Sequence, residues 1–418
     1  MKKILSMLLV LSILSACFGA LADDLEGEIL NAGYTLSGHI YDQMDHEKIM
    51  DNIKITLTNG ETSIENTVLV NTMKGWRYHT YPSHEFLLEG ISAGSWTMHL
   101  SRVGYYDTEI AIEMPTTDFE IPEDIYMIPK GPITPVTTQV YYIGNSSVLL
   151  LLNEGTLCDA KKNGEDGIVA TSIKSLVGNG LANSEDGTLI SCGIPLRYPK
   201  MLENEKNVKK VIYTEFNEAI VLREDGTVAK YNSSNQNGVE LGEDWTNIID
   251  IIDVKNLVYS SGYLGVKADG TIVADRYTSR HYSNILENWS HIVSLSCIAD
   301  YTVGIQDNGT IVRFRDDIAK EDWFPYMEML DWEDLVKVVG NDSLVVGLRS
   351  DGTVYCCYTS DSKKAIYDVV SQWSDIVDIY QSTLMGDGIV GIKSDGTIVT
   401  AGRQLVDDLV NRTGIKTP

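Results

Sequence analysis

Gly347-Leu348-Arg349-Ser350-Asp351-Gly352-Thr353-Val354-Tyr355 decides the fold, because the chain repeats its grammar. An apolar run enters Asp-Gly, and Thr then opens a second β-branched run. Asp-Gly between two such runs is a strong hairpin signal, read here as a two-residue type I′ turn whose central residues both take φ > 0. The turn returns at Asp225-Gly226-Thr227, Asp269-Gly270-Thr271, Asn308-Gly309-Thr310 and Asp395-Gly396-Thr397. Looser copies stand at Glu154-Gly155-Thr156 and Asp186-Gly187-Thr188. The seven glycines are 32, 39, 44, 39, 43 and 44 residues apart.

A second mark keeps the same beat. Trp245-Thr246-Asn247-Ile248-Ile249, Trp289-Ser290-His291-Ile292-Val293, Trp332-Glu333-Asp334-Leu335-Val336 and Trp373-Ser374-Asp375-Ile376-Val377 share the pattern Trp-x-x-aliphatic-aliphatic. Two signals in fixed phase at a period of about 40 residues, with several short strands per unit, predict β-propeller blades. One four-stranded blade cannot bury both faces, so neighbours must stack around an axis. The expected fold is all-β, with a seven-bladed β-propeller over residues 136–418.

The unit Trp-x-x-Ile-Val, followed by Val-Gly-Ile/Leu-x-x-Asp-Gly-Thr-Ile/Val-Val, resembles the regulator-of-chromosome-condensation repeat in its bacterial secreted form. The resemblance spans residues 136–418 and implies a ring of seven blades. The family's Gly-Gln-Leu-Gly at the blade end is largely missing. Its nearest trace is Asn237-Gly238-Val239-Glu240-Leu241-Gly242.

At the start of the chain, Lys2-Lys3 and the apolar run Ile4 to Leu14 predict a secretory signal over residues 1–22. It is too short to span a bilayer, which needs about 20 apolar residues. Leu14-Ser15-Ala16-Cys17 fits a lipobox that would leave Cys17 lipid-modified, whereas Ala20-Leu21-Ala22 fits ordinary signal peptidase. The expected location is extracellular or at the cell surface, anchored to the bacterial membrane through Cys17 or released. The net charge is −26, and losing Lys2 and Lys3 takes it to −28. Such a surface repels phosphate backbones and anionic lipid, which argues against nucleic acid as a partner and leaves the lipid anchor as the membrane contact.

Residues 33–128 lack the repeat. Ser37–Asp42, Ile53–Leu57, Phe86–Leu88, Trp96–Leu100 and Thr108–Ile112 read as short alternating strands of a small β-sandwich. The run Phe86 to Met98, followed by Gly104-Tyr105-Tyr106, resembles carboxypeptidase regulatory-like and collagen-adhesin B-type modules, which implies a spacer or stalk. Residues 129–135, Pro129-Lys130-Gly131-Pro132-Ile133-Thr134-Pro135, hold three prolines and predict a semi-rigid linker.

Little here points to catalysis or metal. Gly90-Ile91-Ser92-Ala93-Gly94 spells a nucleophile elbow, but a strand follows where that chemistry needs a helix, so a tight turn is expected. His39, His46, His79, His84 and His99 have no metal-ligand spacing. Asn163-Gly164-Glu165-Asp166-Gly167 is oxygen-rich yet lacks the bidentate Glu of a calcium loop. Cys158, Cys192, Cys297, Cys356 and Cys357 are odd in number and scattered, which fits buried thiols rather than a disulfide framework. Cys356 and Cys357 should point to opposite faces of one strand. No cofactor is expected.

The long connections that leave each hairpin should share one face of the disc. Tyr231, Tyr277, Tyr282, Trp323, Phe324 and Tyr326 lie in or beside them and are the candidate ligand-binding residues. The bland alternative is that these rings cover the rim of their own blade. The expected function is a non-enzymatic binding or scaffold protein whose partner is an extracellular protein or glycan. The family resemblance also implies an inhibitor that holds an enzyme such as a β-lactamase on one face. A hydrolase acting on surface polysaccharide would need two carboxylates facing each other across the central channel.

Overall fold

The computed structural model describes residues 33–44, 53–68, 85–136, 141–143, 148–159, 167–178, 180–192, 202, 204–214, 218–232, 235–254, 262–275, 289–298, 301–314, 329–341, 343–381, 388–402 and 415–417. It divides into two units, one ending at Pro129 and one beginning at Lys130.

In the first unit, Tyr34–Asp42 buries alternate residues from Leu36 onward, as a strand with one wet face must. It pairs antiparallel with Glu85–Ile91 and parallel with Phe119–Glu120 and Ile125–Met127. A second sheet runs in the order Ser63–Val68, Ile53–Thr58, Gly94–Ser101, Thr108–Met114. Leu36, Ile40, Ile55, Leu57, Trp96, Met98 and Leu100 fill one shared core. The buried Asp42 carboxylate is not left bare, because the Tyr105 hydroxyl donates to it at 2.6 Å. Gly90 and Gly94 take φ of +78° and +130°, and the chain between the two sheets turns there into another strand.

Seven antiparallel sheets follow in the second unit. The third is the fullest: Val208–Tyr213, Ala219–Arg223, Val228–Asn232 and Asn235–Glu240, each paired with the next. That fourth strand overlaps the weak blade-end trace at 237–242 over residues 237–240. The first sheet also has four strands, and the other five have three among the described residues. After the sixth sheet, the helix Lys364–Val370 stands in place of a fourth strand, with the Tyr367 ring tilted 57° against that of Tyr358, 5.1 Å between centroids.

The repeated turn differs from the sequence expectation. Arg223 N–H donates to Thr227 O and Gly226 N–H to Arg223 O, both at 3.0 Å. Within the loop Glu224-Asp225-Gly226 only the glycine has positive φ, +82°. This is a three-residue loop, a type I turn closed by a glycine bulge, and not a two-residue type I′ turn. All seven glycines adopt it, with φ between +77° and +82°. The aspartate stays right-handed because its carboxylate has another task. Asp225 Oδ1 accepts the Thr227 N–H at 3.0 Å and its hydroxyl at 2.7 Å, and Asp269, Asn308 and Asp351 repeat the arrangement.

These bonds make the turn carboxyls more acidic. The amide and hydroxyl of Thr227 and Thr397 hold Asp225 and Asp395 below the usual carboxylate range. The hydroxyl and amide of Thr271 and Thr353 do so for Asp269 and Asp351. The Ser184 hydroxyl and the Thr188 amide take Asp186 down to about 2. A carboxyl depressed in the folded state stabilises it fully above the unfolded value of about 3.9. That stabilisation is lost as pH falls from there toward 2. The urea midpoint should therefore hold steady from pH 6 to 5 and drop between pH 4 and 2. A midpoint flat down to pH 2 would contradict it.

Each turn also joins its sheet to the next. Gly155, Gly226, Gly270, Gly309 and Gly352 carbonyls accept the N–H of Ile173, Ile248, Ile292, Leu335 and Ile376 at 2.9–3.0 Å, and Gly187 accepts from Asn207. The residue presented to the turn is left-handed: Ser172, Asn207, Asn247, His291, Asp334 and Asp375 have φ of 51° to 61°. A bulge follows in all six first strands. Inner ion pairs and bonds add to the seam, with Lys210–Asp250 at 2.8 Å, Lys337–Asp378 at 2.5 Å and Ser296 Oγ on Val338 O at 2.8 Å.

The ring closes through the far end of the chain. Ile415 N–H donates to Gly396 O at 3.3 Å, Ile415 pairs with Leu152, and Lys416 N–H donates to Leu151 O at 2.9 Å. Tyr141–Ile143 pairs with the other part of the same strand. The inner strand of the first sheet is thus assembled from two distant segments. One core joins Leu149–Leu151 to Leu176 of the second sheet, Ile392 of the seventh and Ile415.

Between later sheets, tryptophan lies on glycine. A Cβ on Gly265, Gly304, Gly347 or Gly391 would come within 2.7–3.0 Å of the ring of Trp245, Trp289, Trp332 or Trp373. In the second and third sheets Ala170 and Glu205 hold the tryptophan place, and Ala182 and Val221 the glycine place. Cys357 packs between the fifth and sixth sheets and Cys356 between the sixth and seventh, on opposite faces of their strand.

The proline-rich segment is not a free spacer. Ile133 N–H donates to Asp307 O at 2.7 Å, Val136 N–H to Val336 O at 3.0 Å, and Lys130 pairs with Glu333 at 2.8 Å.

Candidate functional site

The two ends of each sheet differ. One end holds the three-residue turn, locked to its neighbour by backbone bonds. At the other end, the connections between first and second strands span 179–180, 214–218, 255–261, 299–300, 342–343 and 382–388. Their lengths range from two to seven residues, and the third strands run out at the same end. A rigid frame with one uniform end and one variable end places chemical diversity on the variable one.

Of the residues expected to recognise a ligand, Tyr277, Tyr282, Trp323, Phe324 and Tyr326 lie outside the described residues, as does Cys17. Tyr231 is corrected. It is 5% exposed and packs with Leu202, Ala219, Val221 and Ala229. A Cβ on Gly238 would meet its ring at 2.5 Å. Its hydroxyl donates to Glu205, so neither ring face nor hydroxyl is offered to solvent. The aromatic ring fills the sheet whose tryptophan place holds Glu205.

Glu205 is the centre of a charged cluster that the sequence did not reveal. Arg223 Nε and Nη2 bind its two oxygens at 2.7 and 2.8 Å, a bidentate pair. Nη1 donates to Glu240 Oε2 at 3.0 Å and to Thr227 Oγ1 at 3.0 Å, and Nη2 reaches Glu240 Oε1 at 2.9 Å. Those contacts use all five guanidinium donors. Arg223 therefore has nothing left for an incoming anion. The hydrogen bonds it donates to Glu205 and Glu240 raise its pKa, and burial raises that of the Tyr231 phenol. The signal for this cluster was positional: Glu205 stands three residues before Val208, where four later repeats carry tryptophan.

This cluster is a structural lock, and mutation should show it. Arg223→Met leaves the buried Glu205 carboxylate unpaired and should cost roughly 3–5 kcal/mol. Glu205→Leu combined with Arg223→Met should recover most of that loss in urea unfolding. A double variant as unstable as the sum of the singles would contradict the lock.

Beside it lies a polar cleft of about 490 Å³ lined by Asn204, Glu205, Lys206, Asn207, Arg223, Glu224 and Asp225. Within it Glu205 and Arg223 pair with each other, and Glu224 pairs with Lys174 at 2.6 Å. Among the described residues no cluster of His, Cys, Asp and Glu could hold a metal. His39 lies 3.6 Å from Glu85, and His99 lies 3.5 Å from Glu109; His46, His79, His84 and residues 163–166 fall outside the described residues. The five described cysteines are unbridged, and burial pushes the Cys192 thiol up to about 11. No described helix is long and apolar enough to cross a membrane.

No protein-family model and no curated protein matches the chain. Among solved structures it is similar to the WD40 beta propeller domain of Doa1, at 13% identity and a TM-score of 0.37, covering 66% of this chain and 97% of that one. It is similar to YCF48 bound to D1 peptide at 13% identity and a TM-score of 0.37, over 65% and 96% of the two chains. Prp20p from Saccharomyces cerevisiae, whose binding to Gsp1p and histones is described with its structure, is a distant match. Identity there is 11% and the TM-score 0.33, over 62% and 70% of the chains. At such values the β-propeller assignment rests on sheet order, turn geometry and ring closure rather than on likeness.

Proposed function

We propose that this chain is an exported binding scaffold, held at a bacterial surface through Cys17 or released, whose propeller engages a protein or glycan with its variable end. The observation that carries this reading is the asymmetry between locked turns and unequal connections. Acidic inner-strand side chains support binding over hydrolysis, since Asp250 and Asp378 are tied to Lys210 and Lys337. The strongly negative charge favours partners that are neutral or basic.

The test compares full chains in recovery of partners from surface extracts. Tyr277→Ala with Trp323→Ala, in the stretches of sequence that follow third strands, should weaken recovery at least ~10-fold, as loss of aromatic anchors does. Asp395→Asn, at a turn, should leave it unchanged. Equal recovery by all three chains would overturn the proposed end. Cys17→Ala should release the protein from membranes if the anchor is used, and unchanged membrane association would overturn the anchor alone.

A further inference from the structure

Six of the seven turns carry an acidic residue before the glycine, and all six are exposed: Glu154, Asp186, Asp225, Asp269, Asp351 and Asp395. The fifth carries Asn308, which is 1% exposed. What covers it is the segment from Gly131 to Val136. A Cβ on Gly131 would sit 2.5 Å from the Asp307 carbonyl oxygen and 3.1 Å from Asn308 Cα. Its φ of +115° also suits glycine. The Ile133 amide then bonds the Asp307 carbonyl, and the Ile133 side chain packs against the cores on both sides of the sixth sheet.

Asn308 does the turn's usual work. Its Oδ1 accepts the Thr310 N–H at 3.2 Å and hydroxyl at 2.7 Å. Its Nδ2 is buried with no hydrogen-bond partner. Aspartate would place a charged oxygen at that buried point, out of reach of water. The strap's own cation, Lys130, is committed to Glu333. A neutral amide left half-satisfied costs far less than a buried carboxylate left unpaired.

We propose that residues 130–136 are a strap whose docking site is selected by Asn308: the turn without a carboxylate accepts the strap, and the six acidic turns reject it. Seven nearly equivalent turns would otherwise offer the same backbone carbonyls to the same amides. Specificity then comes from what the wrong sites forbid as much as from what the right one offers. The strap fixes the sheet pair at which the chain enters the disc.

Trypsin cleavage after Lys130 in the full chain reads the opened strap, since cleavage tracks the open population when reclosing is fast. Gly131→Val, which clashes with the turn backbone, gives the rate for a released strap. Asn308→Asp should cleave at least ~10-fold faster than the parent, about 1.4 kcal/mol of opening. Asp269→Asn and Asp351→Asn should cleave at the parent rate. Because Asn308→Asp can unfold its sheet, Asn308→Ser is the second variant. It keeps a neutral acceptor and should cleave as the parent does. Loss of folding in the aspartate variant but not in the serine variant also supports the charge rule. Parent-like cleavage of Asn308→Asp, or release by Asn308→Ser as fast as by Gly131→Val, would overturn the proposal.

Discussion

Removing residues 415–418 should destabilise the propeller more than any other excision of similar length. Ile415 is fully buried, and burying such a side chain is worth about 1.5–3 kcal/mol. The backbone bonds to Gly396 and Leu151 add about 0.5–1.5 kcal/mol each. The expected loss is roughly 3–5 kcal/mol, which lowers the melting temperature by on the order of 10 °C for a domain of this size. The deletion also leaves the first sheet with only Tyr141–Ile143 along its inner edge and opens the core it shares with the seventh sheet. Ile415→Asp should reproduce most of the effect, since it buries an unpaired charge. A truncated chain that melts with the parent would mean that the ring is held elsewhere.

The second large effect lies in the tryptophan–glycine pairs. Trp332→Ala removes a buried ring stacked 5.3 Å from Tyr355 and should cost roughly 3–5 kcal/mol. Gly347→Val forces a side chain into space that the Trp332 ring and Leu335 fill at 2.7–2.9 Å, for about 1–3 kcal/mol. The combined variant should be less unstable than the sum by about 1–2 kcal/mol, because the valine fills the hole the indole leaves. The third sheet already pairs a residue other than tryptophan with Val221, so the alternative packing exists within the chain. Strict additivity would show that ring and glycine do not share one space.

These pairs also show how far the sequence could be read. The period, the turn residues and the tryptophan beat are local backbone and packing chemistry repeated many times, and they were legible. The turn type was misjudged because it depends on a side chain: Asp225 bonds Thr227 and so stays right-handed, leaving Gly226 alone with positive φ. Ring closure was hidden because it rests on Ile415 and Lys416, two residues with no repeat around them. Tyr231 looked like an exposed anchor, yet its burial is set by Glu205 and Gly238, which are not its neighbours in sequence. Asn308 read as one more copy of the turn. Only the strap above it shows why the charge is missing.

The closed ring is most directly tested by amide hydrogen exchange at Ile415 and Lys416 in the full chain. The account predicts protection comparable to that of Ile248 and Ile376, which make the equivalent bonds to the preceding glycine carbonyl. Exchange at the rate of a free chain end, with Ile248 and Ile376 still protected, would contradict it.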